Sequence, residues 1–381
     1  MTEMKMRACV LREIGAELPY ATSEPLAIEE VELEAPGPGE VLVRIVGAGL
    51  CHSDLSVING SRPRPLPVVL GHEGAGEVVE VGPGIRDIQA GDPIVFQFSA
   101  SCGRCVRCLE GRPQICETHA MARAKGELMG GGKRLKDARG LPINHQSGVS
   151  CFAEYAVVDR GSVVKIDRDI PLETAAIFGC AVMTGVGAAL NAARVAPGDK
   201  VAVIGLGGVG FSAMLGAILG GAAQVIAVDI NPAKLGLARQ LGAHHTVDAR
   251  EPDHVQQIRD LTGGGVDVSL EGAGVIPALK TGYDSLKTGG QLVTVGLSPQ
   301  GEDFPIPAAD LVSREIAVRG SYMGSCVPIR DIPRYLEAFR QGRLPVDRLI
   351  GEHVGFAGVN AGFDKLTSGE AIRQILTPHA A

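Results

Sequence analysis

The sequence predicts an α/β protein in two interleaved parts, with a β-rich domain at both ends of the chain and a parallel α/β domain inserted between them. Three observations predict it. The first third carries short β-like runs broken by Gly and Pro, such as EVLVRIVGAGL (40–50), GEVVEVG (76–82) and GDPIVFQFS (91–99), which is the spacing of an irregular barrel or sandwich. From about residue 200, continuously apolar strands alternate with helical stretches, as in a parallel sheet buried on both faces. Near residue 325 that alternation stops, and a helix with further short strands closes the chain. The expected boundaries are 1–182 for the first part of the β-rich domain, 183–324 for the insertion and 325–381 for the closing part.

The totals narrow the class of protein. The 381 residues carry 45% hydrophobic side chains and a net charge of −7 with both signs interspersed. No basic stripe is present, so nucleic acid is not an expected partner. The N-terminal MTEMKMRACVLREIGAELPY has neither a signal-type apolar core nor an Arg-rich transit pattern. A cytoplasmic chain is therefore expected, and its nine cysteines point to metal or catalysis rather than disulfides. Residues 201–228 carry no charge and are long enough to span a bilayer, yet seven of the 28 are Gly. A strand, a tight glycine turn, a buried helix and a second strand account for them better than a membrane span.

Taken in chain order, the elements carry their chemistry as follows. The β-like run EVLVRIVGAGLC leads into GLCHSD, which places Cys51 just after an apolar strand, and LGHEGAG then sets His72 among glycines with Glu73 beside it. Further on, residues 102–116 read CGRCVRCLEGRPQIC, with four cysteines separated by two, two and seven residues. Cys102, Cys105, Cys108 and Cys116 can close a tetrahedral thiolate site for zinc. An iron–sulfur cluster is the chemical rival, but there a Pro follows the fourth cysteine, whereas here it is Glu117. Four thiolates saturate the ion, so this zinc is structural. Residues 119–148 form a polar, basic segment too irregular to assign. AAIFGCAVMTGVGAALNAA (175–193) reads as a buried helix holding Cys180. Cys51, His72 and Cys180 together make a three-ligand zinc site with an open fourth position, the arrangement that catalysis requires. Asp54 is close enough to fix the tautomer of His72.

The inserted domain opens with VAVI and the fingerprint Gly205-Leu-Gly207-Gly208-Val209-Gly210, followed by a helix over 209–220 and the strand QVIAVD. Gly205 serves the tight turn, Gly207 the approach of a pyrophosphate, and Gly210 the helix–strand contact. Asp229 lies 19 residues after Gly210, placed to accept the adenosine ribose hydroxyls and to repel a 2′-phosphate, which favours NAD over NADP. VDVSLEGAG and GQLVTVGL read as later strands of the same sheet. Cys9, Cys151 and Cys326 stay unassigned.

Together GAGLCHSD, GHEGAGEVVEVG, CGRCVRCLEG, GLGGVG with VDIN, and the closing SGEAIRQILT resemble the zinc-dependent medium-chain alcohol dehydrogenases, from about residue 6 to residue 377. The resemblance implies a GroES-like catalytic domain with an inserted Rossmann doubly wound domain, assembled as a homodimer or homotetramer through the Rossmann sheet. It implies two zinc ions per subunit, with Cys51, His72 and Cys180 on the catalytic one. It further implies Glu73 as the acid behind that zinc and Ser53 as the hydroxyl bonding the alcohol. His52 and Arg373 match pyrophosphate contacts, Thr184 packs on the nicotinamide, and Asp229 and Lys234 match ribose contacts. Phe98 falls where an aromatic lines the substrate channel.

Two departures bear on substrate. At Ser56 many relatives carry a His that receives the relayed proton. The motif order also resembles the glutathione-dependent formaldehyde dehydrogenases, but their two acids and one arginine fall on Arg62, Arg64 and Ala120. Reversed charge at two contacts disfavours a glutathione adduct. The expectation is hydride transfer between NAD and a primary aliphatic, allylic or aromatic alcohol, with S-(hydroxymethyl)glutathione as the alternative substrate. Arg62 and Arg64 are either a solvated loop or a preference for an acidic substrate.

Overall fold

The computed structural model describes residues 3–299 and 301–380. Two compact units divide the chain: unit 1 holds Met1–Cys180, Val327–Leu336 and Asp347–Ala381, and unit 2 holds Ala181–Cys326 and Glu337–Val346.

Unit 1 opens with β1 (Met4–Leu11), β2 (Leu26–Leu33), β3 (Glu40–Gly49), β4 (Val68–Val69), β5 (Gly74–Val81) and β6 (Pro93–Phe96). It continues with β7 (Leu135–Lys136), β8 (Pro142–His145), β9 (Tyr155–Asp159) and β10 (Val163–Lys165). Unit 2 contributes β11 (Lys200–Ile204), β12 (Gln224–Asp229), β13 (His245–Asp248), β14 (Val266–Glu271), β15 (Leu286–Thr294) and β16 (Ala317–Gly320). The chain then returns to unit 1 with β17 (Ile350–Val354) and β18 (Arg373–Leu376).

In unit 1 a closed barrel runs β1-β2-β7-β8-β4, beside a second sheet of order β10-β6-β5-β3-β18-β17 with β9 on β3. The two-residue period of β1 feeds both: Met6, Ala8 and Val10 enter one apolar cluster, while Cys9 and Leu11 enter another with Val41, Val43 and Ile45 of β3. The segment 119–148 therefore has a structural task, since β7 and β8 close the barrel and leave it without an open edge. Arg134 of that segment clamps the buried Glu40 of β3 through two bonds of 2.8 Å. β18 pairs with the end of β3, Ile375 opposite Gly49 and Leu376 opposite Ala48. The closing SGEAIRQILT thus comes back to the residues just before Cys51.

Unit 2 is a six-stranded sheet of order β13-β12-β11-β14-β15-β16, parallel throughout. Its core is the branched apolar set Ala202, Ile204, Ile226, Val228, Val266 and Leu292 with their neighbours. Strand order reverses between β11 and β14, the place where such sheets bind ligands.

One expected element is different. The stretch 175–193 is not one helix: a turn at Leu172–Ala175 and a 3₁₀ turn at Ala176–Gly179 stop at Cys180, and the helix Ala181–Gly187 then runs into a π-helical turn over Ala188–Ala193. Cys180 has φ −135° and ψ −75°, outside helical space. At the break the chain runs tight against β6, where only a glycine fits: a β-carbon on Gly179 would run into the Phe96 carbonyl oxygen. Residues 201–228 form β11, the helix Gly208–Leu219 and β12, and no single helix among the described residues is long and apolar enough to cross a membrane.

Candidate active site

Three local devices bring Cys51, His72 and Cys180 together within unit 1. Cys51 caps the N-terminus of the helix His52–Ile58 with φ −129° and ψ 150°, so its side chain leaves at the end of β3. His72 precedes β5. Cys180 sits at the helix break. All three are buried, and their ligand atoms lie within 4.8 Å of one another. Cys180 Sγ is 3.4 Å from His72 Nε2.

Asp54 orders this group. It is 0% exposed. Oδ1 lies 3.0 Å from His72 Nδ1 and accepts from the Gly71 N–H at 3.3 Å, while Oδ2 accepts from the Cys51 N–H at 3.2 Å. A carboxylate on Nδ1 fixes the tautomer and leaves Nε2 facing the sulfurs, which is the arrangement of a metal-binding histidine. Two sulfurs and one imidazole nitrogen suit zinc and leave its fourth position open.

The electrostatics agree with a metal-binding role. Hydrogen bonding from Cys180, aided by Arg373 and His72, holds Cys51 well below the usual thiol range against the effect of burial. The same bond, with burial, pushes Cys180 up. Burial pulls His72 down, but Asp54 and Cys51 together raise it.

Glu73 and Arg373 back the trio. Their charged groups lie 3.8 Å apart, both buried, and Arg373 Nη1 donates to the Leu50 carbonyl at 3.2 Å. Gly49 makes room for the acid, since a β-carbon there would stand 2.7 Å from Glu73 Oε2. Phe98 sets its edge against His72, with ring centroids 5.2 Å apart. Ser53 is half-buried and His52 exposed on the first turn of the same helix. Ser56 turns away from any relay, because its hydroxyl donates to the His52 carbonyl at 2.8 Å. The sequence pattern gave no sign that Arg373 is enclosed beside Glu73; only the pairing of β18 with β3 reveals it.

The second cluster is the loop 102–116, whose four Sγ atoms also lie within 4.8 Å of one another. Cys105 and Cys116 sulfurs are 3.8 Å apart, close to the edge of roughly 3.8 Å that zinc–sulfur bonds of about 2.3 Å give a tetrahedron. Backbone N–H groups already point at the sulfurs, from Cys102 to Cys116 and from Cys105 to Cys102. Despite burial, bonds from Thr118 and nearby N–H groups bring Cys102 down to about 6. No cysteine among the described residues is in a disulfide.

Unit 2 holds the glycine turn between β11 and the helix Gly208–Leu219. Gly205 has φ +87° and touches Ala273, while a β-carbon on Gly210 would strike the Gly205 carbonyl oxygen. Around Gly207 a β-carbon would meet nothing within 4 Å, which leaves open backbone at a helix N-terminus, where phosphate binds. Gly208 and Val209 form the first turn. Asp229 ends β12 and accepts from the Leu206 N–H at 2.6 Å and the Asn231 N–H at 2.8 Å. Lys234 is half-buried on the next helix, and Thr184 is buried on the helix Ala181–Gly187.

Comparison with known proteins agrees with this chemistry. Residues 37–168 match the alcohol dehydrogenase GroES-like domain and residues 208–341 the zinc-binding dehydrogenase domain. A geraniol dehydrogenase of Castellaniella defragrans is 39% identical over 374 residues, covering 97% of each chain. An S-(hydroxymethyl)glutathione dehydrogenase of Synechocystis sp. is 36% identical, covering 98% of this chain and all of its own. The crystal structure of benzyl alcohol dehydrogenase from Acinetobacter calcoaceticus superimposes with a TM-score of 0.91 at 33% identity, covering 98% of this chain and 99% of that one. With the geometry of the cysteine and histidine clusters, these matches make the chain a member of the zinc-dependent medium-chain alcohol dehydrogenases.

Proposed function

We propose that this chain oxidises primary alcohols with NAD, in the aliphatic, allylic or aromatic range, and reduces the matching aldehydes. The observation that carries the reading is the buried Cys51–His72–Cys180 set with Asp54 behind its histidine. Cys51, His72 and Cys180 would hold a catalytic zinc, and Cys102, Cys105, Cys108 and Cys116 a structural one, giving two per subunit. The catalytic metal, when bound, supplies Lewis acidity toward the alcohol oxygen, and the nicotinamide, when bound, accepts the hydride.

The chain's own residues do the remaining work. Ser53 accepts the hydrogen bond of the alcohol hydroxyl and carries its proton outward. Ser56 is no base and its hydroxyl is engaged with the His52 carbonyl, so the proton leaves Ser53 by another route to solvent. Glu73 stands behind the trio as its reserve carboxylate, and Phe98 walls the substrate side. Thr184 supports the nicotinamide. Gly205, Gly207, Gly208, Val209 and Gly210 cradle the pyrophosphate, while Asp229 and Lys234 take the ribose. The Asp229 carboxylate is anchored by two backbone N–H groups, so a 2′-phosphate would meet a fixed negative charge. His52 is the exposed imidazole that would meet the pyrophosphate. Arg373 shares that task only when its pairing with Glu73 opens.

We read the chain as cytoplasmic, since its free thiols suit a reducing compartment, and as a homo-oligomer. The Synechocystis relative favours a second reading, S-(hydroxymethyl)glutathione oxidation; Arg62, Arg64 and Ala120 oppose it. The deciding experiment is NADH formation by zinc-loaded protein on short aliphatic, allylic and benzylic alcohols, an ω-hydroxy acid and S-hydroxymethylglutathione, with NAD and NADP in parallel. The expected outcome is turnover of a free alcohol with NAD. Turnover of the glutathione adduct alone would establish the second reading instead.

A further inference from the structure

Glu271 ends β14, opposite Ile204 of β11 on one side and Thr294 of β15 on the other. It stands where the strand order reverses. It is completely buried, and no cation pairs with it among the described residues. Its carboxylate is instead surrounded by donors from two loops. Oε1 accepts from the Gly274 N–H at 2.6 Å and Oε2 from the Thr294 hydroxyl at 2.7 Å. The Gly296 N–H donates to the Glu271 main-chain carbonyl at 3.3 Å. That carbonyl also accepts from the Val295 N–H at 2.9 Å.

The loops it gathers lean on the glycine turn. Ala273 is packed so closely on Gly205 that a β-carbon there would come within 2.7 Å of the Ala273 β-carbon, and one on Gly272 would lie 3.6 Å from the Gly210 Cα. The Gly272 N–H donates to the Ile204 carbonyl at 2.9 Å. Gly274 has φ +72°, with its β-carbon position 2.8 Å from the Leu297 nitrogen. Burying a carboxylate is costly unless its lone pairs are filled, and a donor from each loop, the Gly274 N–H and the Thr294 hydroxyl, meets one of its oxygens. The 272–273 segment packs on the cofactor turn, and Gly274 in turn packs on the 294–297 segment.

We propose that Glu271 is a positioning residue for the dinucleotide: its carboxylate locks the segments 272–274 and 294–296 together and presses them against the Gly205–Gly210 turn. The inference rests on the reading that unit 2 holds the nicotinamide nucleotide. Without the lock the turn samples other arrangements, and the apparent affinity falls by the fraction that stays competent.

The test is NADH fluorescence titration of the zinc-loaded full chain, with kcat and KM for NAD and the melting temperature measured in parallel. Glu271→Gln keeps the shape but puts an amide group where one of the two accepting oxygens stood. It is expected to weaken NADH by about tenfold and to raise KM for NAD while kcat at saturation holds within about twofold. Thr294→Val, which deletes one donor, should move affinity the same way by a smaller factor, and Thr294→Ser should restore it. A Glu271→Gln chain that melts earlier yet binds NADH as tightly as wild type overturns the proposal. Should that variant not fold, equal affinity of Thr294→Val and Thr294→Ser overturns it. Wild type failing to bind NADH would instead refute the nucleotide reading itself.

Discussion

Asp54 accepts from three separate places, the Cys51 backbone, the Gly71 backbone and the His72 ring. It therefore fixes two of the three candidate ligands at once. Asp54→Asn retains the size but offers one acceptor oxygen in place of two and cannot stabilise an imidazole proton by charge. Partners of this type are worth about 10–100-fold in metal affinity. The expected result for Asp54→Asn is a loss of that order in zinc affinity under chelator competition, with the thiolate loop at 102–116 still loaded. Unchanged affinity at the catalytic position would show that Asp54 is only a helix cap. At this scale the sequence was informative where residue chemistry is unusual. The four cysteines of one loop need no fold to suggest a site. His72 and Cys180 lie 108 positions apart, and nothing in their spacing joins them, so the trio rested on resemblance until β3, β5 and the break at Cys180 put it in one place. Glu271 had no signal at all, since a buried acid at a strand end looks like any other strand-end acid.

At the level of elements, the cysteine loop has little to hold it except its sulfurs. Its helix Val106–Leu109 has four residues, far below the length at which a helix persists alone. Val106 and Leu109 are exposed, the latter at 74%, so no apolar burial stabilises that turn. Cys105→Ser should therefore release the structural zinc. The measured zinc content should fall by one per chain, and the melting temperature by about 4 °C if some 3 kcal/mol is lost. The remaining folded protein keeps turnover per catalytic zinc, because Cys51, His72 and Cys180 are untouched. Equal loss of both metals would show instead that the loop is part of the catalytic centre. Other elements were legible to different degrees. The continuous apolar runs of β11 and β12 and the glycine turn between them could be read directly, because a parallel strand buried on both faces shows its burial in composition. The helix over 175–193 was misread for a tertiary reason. Its Ala, Val and Met content favours a helix, but the chain leaves helical geometry at Cys180, just after a glycine packed against the Phe96 carbonyl, and local composition does not encode that close approach. The strands of 119–148 were hidden because β7 and β8 have only two and four residues, too short for a period to register.

For the whole molecule, the interrupted order of β-rich, α/β and β-rich segments follows from a change of pattern that the eye can locate. The return of β18 to β3 is a long-range pairing that no local pattern encodes. Assembly is the property at this scale that the sheet of unit 2 addresses most directly. Among the described residues its terminal strand β16 pairs only with β15, and all four of its residues are exposed, Val318 at 38%. An edge strand with free N–H and carbonyl groups invites further pairing unless charge or a bulge blocks it. Arg319 does not serve as a guard, because its guanidinium is drawn back to the Ala192 carbonyl at 3.0 Å. Nearby Leu311 and Val312 are exposed apolar side chains on the helix that leads into this strand. A second copy placed by a two-fold axis would continue the sheet, β16 against β16, and a two-fold contact uses the same patch twice. Light scattering of the wild type should therefore give a multiple of the 39.6 kDa chain mass. Val318→Lys puts one ammonium on each side of the axis, and its expected result is a shift toward the single-chain mass at micromolar concentration, with NADH binding per chain retained. A wild type that already runs at the single-chain mass would refute assembly altogether. A Val318→Lys protein that keeps the wild-type mass would move the contact to another face of the molecule.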